Sequence, residues 1–502
     1  MKNSVFQMIQ KNINKDGILK EGFSLPAEDT GNGINWAAGA YDGVMLYHMG
    51  HTEPDAEARE TMTKAITLAS SGAYEKAEEI FAEWTKDNRA VAAVDVLQNY
   101  IYDHRQELDP NHIHGFAMHM ILDSEHIECV KIGLEILELF PEPEEEIKQI
   151  VRTLALYDEF TLFCIWDMLK WSAGNEEIFE LARRVHSWGR IHAVEKLNAD
   201  NCEKQYWLLT QGTVNNVTNA YSSLTCWKKS QAEKILAGKP SGNEYRGLAL
   251  LIDGLLDEGP VPGISTLNEP EKVLQRFIEI TPEYDLRVQE YEVILKILDR
   301  AEQEEHNDPA LAKACEAILH SRKCRDTVSK AVVKGKGLQL ADILNIPYRE
   351  QLYRLMRRSF SEYYYYCRLL MADDEYREKT LQMFREKLPL KTMTGKPTDE
   401  TGLGKKYLPH LQLDMIMREL WNTPLTGADL IITGLKSPLP RNRIGALRVI
   451  QTWVQGTGTP LAALSPELYK TVKKLEPKEV NDTAKAMIAS LLEGKIEFEN
   501  KQ

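Results

Sequence analysis

"AYEKAEEIFAEWTKDN", residues 73–88, sets the period on which this chain is built. Ala77, Ile80, Phe81 and Trp84 recur at i, i+3, i+4 and i+7, the spacing that lines apolar side chains along one stripe of an α-helix. Just before it, "TEPDAEARETMTKAITLASSG" (52–72) opens on a capping pattern at Thr52 and Asp55 and closes at Gly72. The same period runs on through "RAVAAVDVLQNYIYDH" (89–104), "SEHIECVKIGLEILELF" (124–140), "DEFTLFCIWDMLKWSAG" (158–174) and "NEEIFELARRVHSWG" (175–189). Very short breaks separate these segments, which forces neighbouring helices to lie antiparallel. Alternating patterns bounded by Asn-Gly or Asp-Gly turns are nearly absent. The chain reads as all-α.

The segments also resemble one another. "LFCIWDMLKW" (162–171), "FELARRVHSW" (179–188) and "IGALRVIQTW" (444–453) share apolar positions that converge on a closing tryptophan. A helix pair cannot bury its own apolar face, so stacked neighbours must do it. The expected architecture is an irregular, HEAT-like α-solenoid of antiparallel helix pairs, with an irregular helical bundle as the alternative. Residues 1–54 read as a Gly-rich lead-in and cap, and 55–389 as the helical array with a possible kink at 238–270. The Gly-, Thr-, Pro- and Lys-rich 390–407 reads as a linker, and 408–502 as further helices ending in a charged tail.

Composition narrows the function. Sixty-one basic against 75 acidic residues leave a net charge of −14, which disfavours a general nucleic-acid binder. No run of apolar residues is long enough to span a bilayer, and the start lacks the apolar core of a signal peptide. Seven cysteines, an odd number without paired spacing, fit reduced thiols and a cytoplasmic location.

The densest chemistry lies in "NHIHGFAMHMILDSEH" (111–126). His119, Asp123 and His126 fall at i, i+4 and i+7, with His112 and His114 just upstream. Imidazoles and a carboxylate form the ligand set that zinc or non-haem iron takes, so these five are the candidate metal residues. Ser124, however, has the character of an N-cap that would end the helix before His126. A second cluster is basic: Arg322, Lys323 and Arg325, then Arg354, Arg357 and Arg358 ahead of four consecutive tyrosines, Tyr363 to Tyr366. Cations beside aromatic rings can grip phosphates and stack bases; a solvated basic face is the plainer reading. No Gly-x-Gly-x-x-Gly, Walker loop, haem-thiolate setting or flavin motif is present.

"WAAGAYDGVMLYHMGH" (36–51) reads in one of two ways. Either residues 36–49 form one helix between an Asn35 cap and Gly50, or Asp42-Gly43 turns a hairpin. In the helical reading Gly39 and Gly43 share a face and admit a second backbone closely. The stretch is then a tightly packed cap, with Tyr41, Tyr47 and His48 at a pocket edge.

"GFSLPAEDTG" (22–31) followed by "AAGAYDGVMLYHMG" (37–50) resembles the opening of bacterial chains named limonene hydroxylase. The resemblance is carried mainly by the first fifty residues. It implies an oxidoreductase that hydroxylates a monoterpene to carveol or perillyl alcohol with NADH or NADPH as donor, and oxidises the alcohol further. It brings no catalytic motif, so no residue inherits a catalytic role. On that reading a small apolar substrate would lie against Trp36, Tyr41, Tyr47 and His48, and the His112–His126 cluster would hold iron or zinc. The residue chemistry alone points instead to a non-enzymatic helical-repeat scaffold that holds a protein partner on its concave face.

Overall fold

The computed structural model describes residues 4–26, 36–49, 56–259, 261–402 and 404–494. Among them every regular element is helical, and a single isolated bridge joins Ile13 to Leu19. The period read from residues 73–88 folds as the helix Tyr74–Trp84, which buries Ala77 and Phe81. Helix starts carry the side chains that orphan N–H groups require: Asn201, Ser321, Ser465 and Asn481 each accept one. Ser241 and Glu244 form a reciprocal capping box. None of the described helices is long and apolar enough to cross a membrane.

The chain divides into two units, one running through Leu319 and the other from His320 onward. In the first, helices pair with their sequence neighbours: Ala56–Ser70 with Tyr74–Trp84, Pro110–Asp123 with Ile127–Leu137, Glu145–Ala155 with Asp158–Met168, and Gly174–Arg184 with Ser187–Lys196. A second regularity overlies the first. Val94–Asp103, Ile127–Leu137, Asp158–Met168, Ser187–Lys196, Ala220–Lys229, Gly242–Leu255 and Val288–Ala301 each pack against the next in that order. Helices of successive pairs are therefore in contact along the first unit.

The three tryptophan-ended segments are not equivalent, contrary to the sequence pattern. Trp171 follows the end of Asp158–Met168, Trp188 lies beyond Gly174–Arg184 at the start of Ser187–Lys196, and Trp453 lies inside Pro440–Thr457. The break at Val185–His186 has a cause in Arg190, whose guanidinium donates to the carbonyls of Val185 (2.9 Å) and Val214 (2.8 Å). It thereby takes up an acceptor freed at the helix end.

In the second unit, the segment expected to be a linker is docked onto helices instead. Gly395 and Thr398 donate to the carbonyls of Lys436 and Pro438, both at 2.9 Å, and Met393 is buried. Beneath it Arg443, fully buried, donates to Thr398 O (2.9 Å) and pairs bidentately with buried Glu479 (2.6 and 2.7 Å).

Candidate functional site

The stretch 36–49 departs from both of its sequence readings. Ala40–Val44 is an α-helix that continues as a π-helical turn over Met45–Met49, with Gly39 as cap at φ +70°. Asn35 and Gly50, the expected helix ends, lie outside the described residues, and no hairpin forms at Asp42-Gly43. Close approach explains the glycines. A Cβ on Gly39 would stand 2.6 Å from the Asp158 carbonyl oxygen, and one on Gly43 would stand 2.2 Å from the Trp188 ring. The segment is pressed onto Asp158–Met168 and Ser187–Lys196.

Under it lies a buried charge cage. Lys131 Nζ, wholly inaccessible, contacts Asp42 Oδ2 (2.8 Å), Glu128 Oε1 (2.9 Å) and Glu159 Oε1 (2.6 Å). Arg89 adds a second cation at 3.0 Å from Glu128, and the Ala90 and Gly39 N–H groups donate to Glu128 and Glu159 at 2.7 Å. The carboxylates are not equally supported. Burial works to raise Glu128, but Lys131, Arg89 and the Ala90 N–H hold it below its ordinary range. Asp42 has one partner and a buried Oδ1 with none, and burial pushes its carboxyl up to about 7. Burial also drives Glu135, whose two oxygens lack partners, well above the usual carboxylate value. The sequence reading missed this cage, although a signal was present: 127–137 is apolar on nearly all sides, so Glu128 and Lys131, three residues apart within it, fall in the interior and call for partners there.

The residues expected to line a substrate pocket fall into two contacts: Trp36 with Tyr41, and Tyr47 and His48 with Tyr221. Trp36 stacks edge-on against Tyr41, and Tyr47 packs between Trp188, His192 and Tyr221. His48 Nε2 lies 2.7 Å from the Tyr221 hydroxyl. Trp188, His192 and Tyr221 had no sequence signal tying them to residues 36–48. Burial lowers His192 to about 3, so its ring is neutral.

The expected metal residues do not converge. His112 Nδ1 bonds the Ser70 carbonyl (2.8 Å), and His114 sits edge-on to Phe140. His119 Nε2 meets Glu78 (2.8 Å), while its Nδ1 stands 3.6 Å from Asp123. The helix ends at Asp123, before His126, as expected, but Ser124 is its C-cap, and His126, with extended backbone, takes the N-cap position of the following helix. Among the described residues no group of three or more His, Cys, Asp or Glu is placed to hold a metal ion. The donor set does not fit iron or zinc. A nicotinamide has no strand–turn–helix cradle among the described residues.

The basic cluster falls in the second unit and is partly spent internally. Arg322 lies 3.7 Å from Asp326, Arg354 pairs with Glu350 (2.7 Å), and Arg325 donates to the Leu344 carbonyl (2.7 Å). Arg357 and Arg358 are exposed at a helix C-terminus. Lys323 stands on a different helix, Arg322–Val332.

A groove of about 800 Å³ opens elsewhere in the first unit, between Gly174–Arg184, Cys202–Thr210, Gly242–Leu255 and Val288–Ala301. Tyr206, Trp207, Arg246, Asp253, Arg287 and Glu290 are among its walls. No single motif marked it, because its lining is drawn from four helices. Compared with family models, curated proteins and solved structures, the chain matches none.

Proposed function

We propose that this chain is a helical-repeat binding platform, its first unit an α-solenoid whose groove receives a protein partner. One observation carries the reading: stacked helix pairs leave an open, mixed polar and aromatic groove of about 800 Å³. Polar groups set among aromatic faces are the lining that holds a ligand in register. A photo-crosslinking side chain in place of Tyr206, in the groove, is expected to give one discrete protein adduct in the native host. The same group in place of Tyr102, exposed outside the groove, is expected to give none. Absence of an adduct from the groove position would sink the reading.

A second reading is monoterpene hydroxylation, and a specific observation favours it. The stretch that resembles limonene hydroxylase supplies Trp36, Tyr47 and His48 to the aromatic cluster of Trp188 and Tyr221, with Tyr41 against Trp36. An apolar ring is the ligand such a surface suits. Carveol or perillyl alcohol formed from limonene and NADH by homogeneous protein would support it. No product, with the metal content of the sample quantified, would refute it for the chain acting alone.

A further inference from the structure

The two units carry opposite charge. Through Leu319 the chain has 30 Lys and Arg against 54 Asp and Glu; from His320 onward it has 31 against 21. Residues 320–368 concentrate the basic excess, with eleven Lys and Arg against four acids. Three of those acids are engaged: Asp326 faces Arg322 at 3.7 Å, Asp342 pairs with Arg349 at 2.9 Å, and Glu350 with Arg354 at 2.7 Å. The fourth, Glu362, is exposed. Among the described residues no carboxylate pairs with Lys330, Lys334, Lys336, Arg357 or Arg358, all of them exposed.

The fold gathers these cations at one corner. Where helix Arg322–Val332 ends, the turn 333–337 lies on helix Arg349–Arg358, and Gln351 Nε2 donates to the Val333 carbonyl at 3.0 Å. A Cβ on Gly335 (φ +72°) would stand 2.6 Å from the Tyr363 hydroxyl and 3.0 Å from Leu355 Cδ1, so glycine lets the turn settle this close. Gln351, Leu355 and Arg358 fall at i, i+4 and i+7 and share the face that receives it. Arg358 therefore stands at the edge where Lys334 and Lys336 arrive. Val333, in the same turn, is 65% exposed, more than any other large apolar residue described. A helix C-terminus attracts cations by itself, but it gives no reason for a bare valine among them.

We infer that this corner of the second unit docks on an anionic lipid bilayer, its lysines and arginines on the phosphate headgroups and Val333 in the interface. A bilayer surface takes both kinds of side chain at once: headgroup charge draws the cations, and the acyl boundary accepts the apolar group between them. Single-stranded nucleic acid would ask for stacking faces instead, and of Tyr363 to Tyr366 only Tyr365 is exposed. The attraction is local, because the chain as a whole has a net charge of −14. It therefore weakens as salt rises.

The test is co-sedimentation of the full-length protein with vesicles of phosphatidylcholine, alone or with about a third of the lipid as phosphatidylglycerol. Expected is binding to the anionic vesicles that falls with added salt, and none to the neutral ones. The triple variant K334E/K336E/R358E should bind about tenfold more weakly or worse. K334Q/K336Q removes charge without reversing it and should show a smaller loss at the parent's thermal midpoint. V333S should weaken binding about threefold while keeping the parent's salt dependence. K473E/K474E changes two exposed lysines on Pro466–Leu475, in the same unit, and should bind as the parent does. No binding to anionic vesicles, or binding untouched by the triple variant, would overturn the inference. So would an equal loss in K473E/K474E, which would make the attraction general, or parental binding by V333S. Tighter binding of a labelled single-stranded oligonucleotide than of anionic vesicles, lost in K334E/K336E/R358E, would overturn it in favour of nucleic acid.

Discussion

Lys131 is a buried ammonium with three carboxylates around it, and its removal leaves those acids facing one another out of water. Replacing Lys131 by Ala is expected to cost about 3–5 kcal/mol, read from denaturant midpoints, because a buried charge left unpaired loses more than the pair contributes. Asp42 gives the cage a pH dependence of defined sign. Its carboxyl is raised from 3.8 to about 7, chiefly by burial, so the folded state holds this proton more tightly than the unfolded chain. The stabilisation is complete below about pH 4 and is lost as pH rises through about 7. Measured against Asp42→Asn, which does not titrate, the parent should lose relative stability between pH 4 and 7 and then level off. A flat difference across that range would remove the titration from Asp42.

Gly43 and Arg443 each decide how an irregular segment attaches to a helical framework. Gly43→Ala drives a methyl into the Trp188 ring, and a loss of about 1–3 kcal/mol is expected, as for overpacked cores. Arg443→Ala strands buried Glu479 and frees the Thr398 carbonyl. A loss of about 3–5 kcal/mol should appear in the second unit, seen as a lower melting transition with the first unit's transition unchanged. The helices themselves were legible, since stripes such as Ala77–Ile80–Phe81–Trp84 depend only on local period. Segments held by distant partners were not. Residues 390–402 have linker composition, yet Arg443 and the carbonyls of Lys436 and Pro438 pin them. The five histidine-region candidates were close in sequence, but a helix turns His112 and His114 to different partners and ends before His126. The groove was illegible for the opposite reason: Trp207, Arg246 and Arg287 are far apart in sequence and meet only when their helices stack.

For the whole molecule, the central claim is that the first unit is a binding platform whose groove, rather than the resembling stretch 36–48, is the working surface. The measurement that bears on it most directly is amide hydrogen exchange of the full chain with and without a saturating amount of the protein partner captured at Tyr206. The account predicts new protection within residues 202–211, 242–253 and 287–293. Protection confined to residues 36–48 and 187–196, or none in the groove, would contradict it.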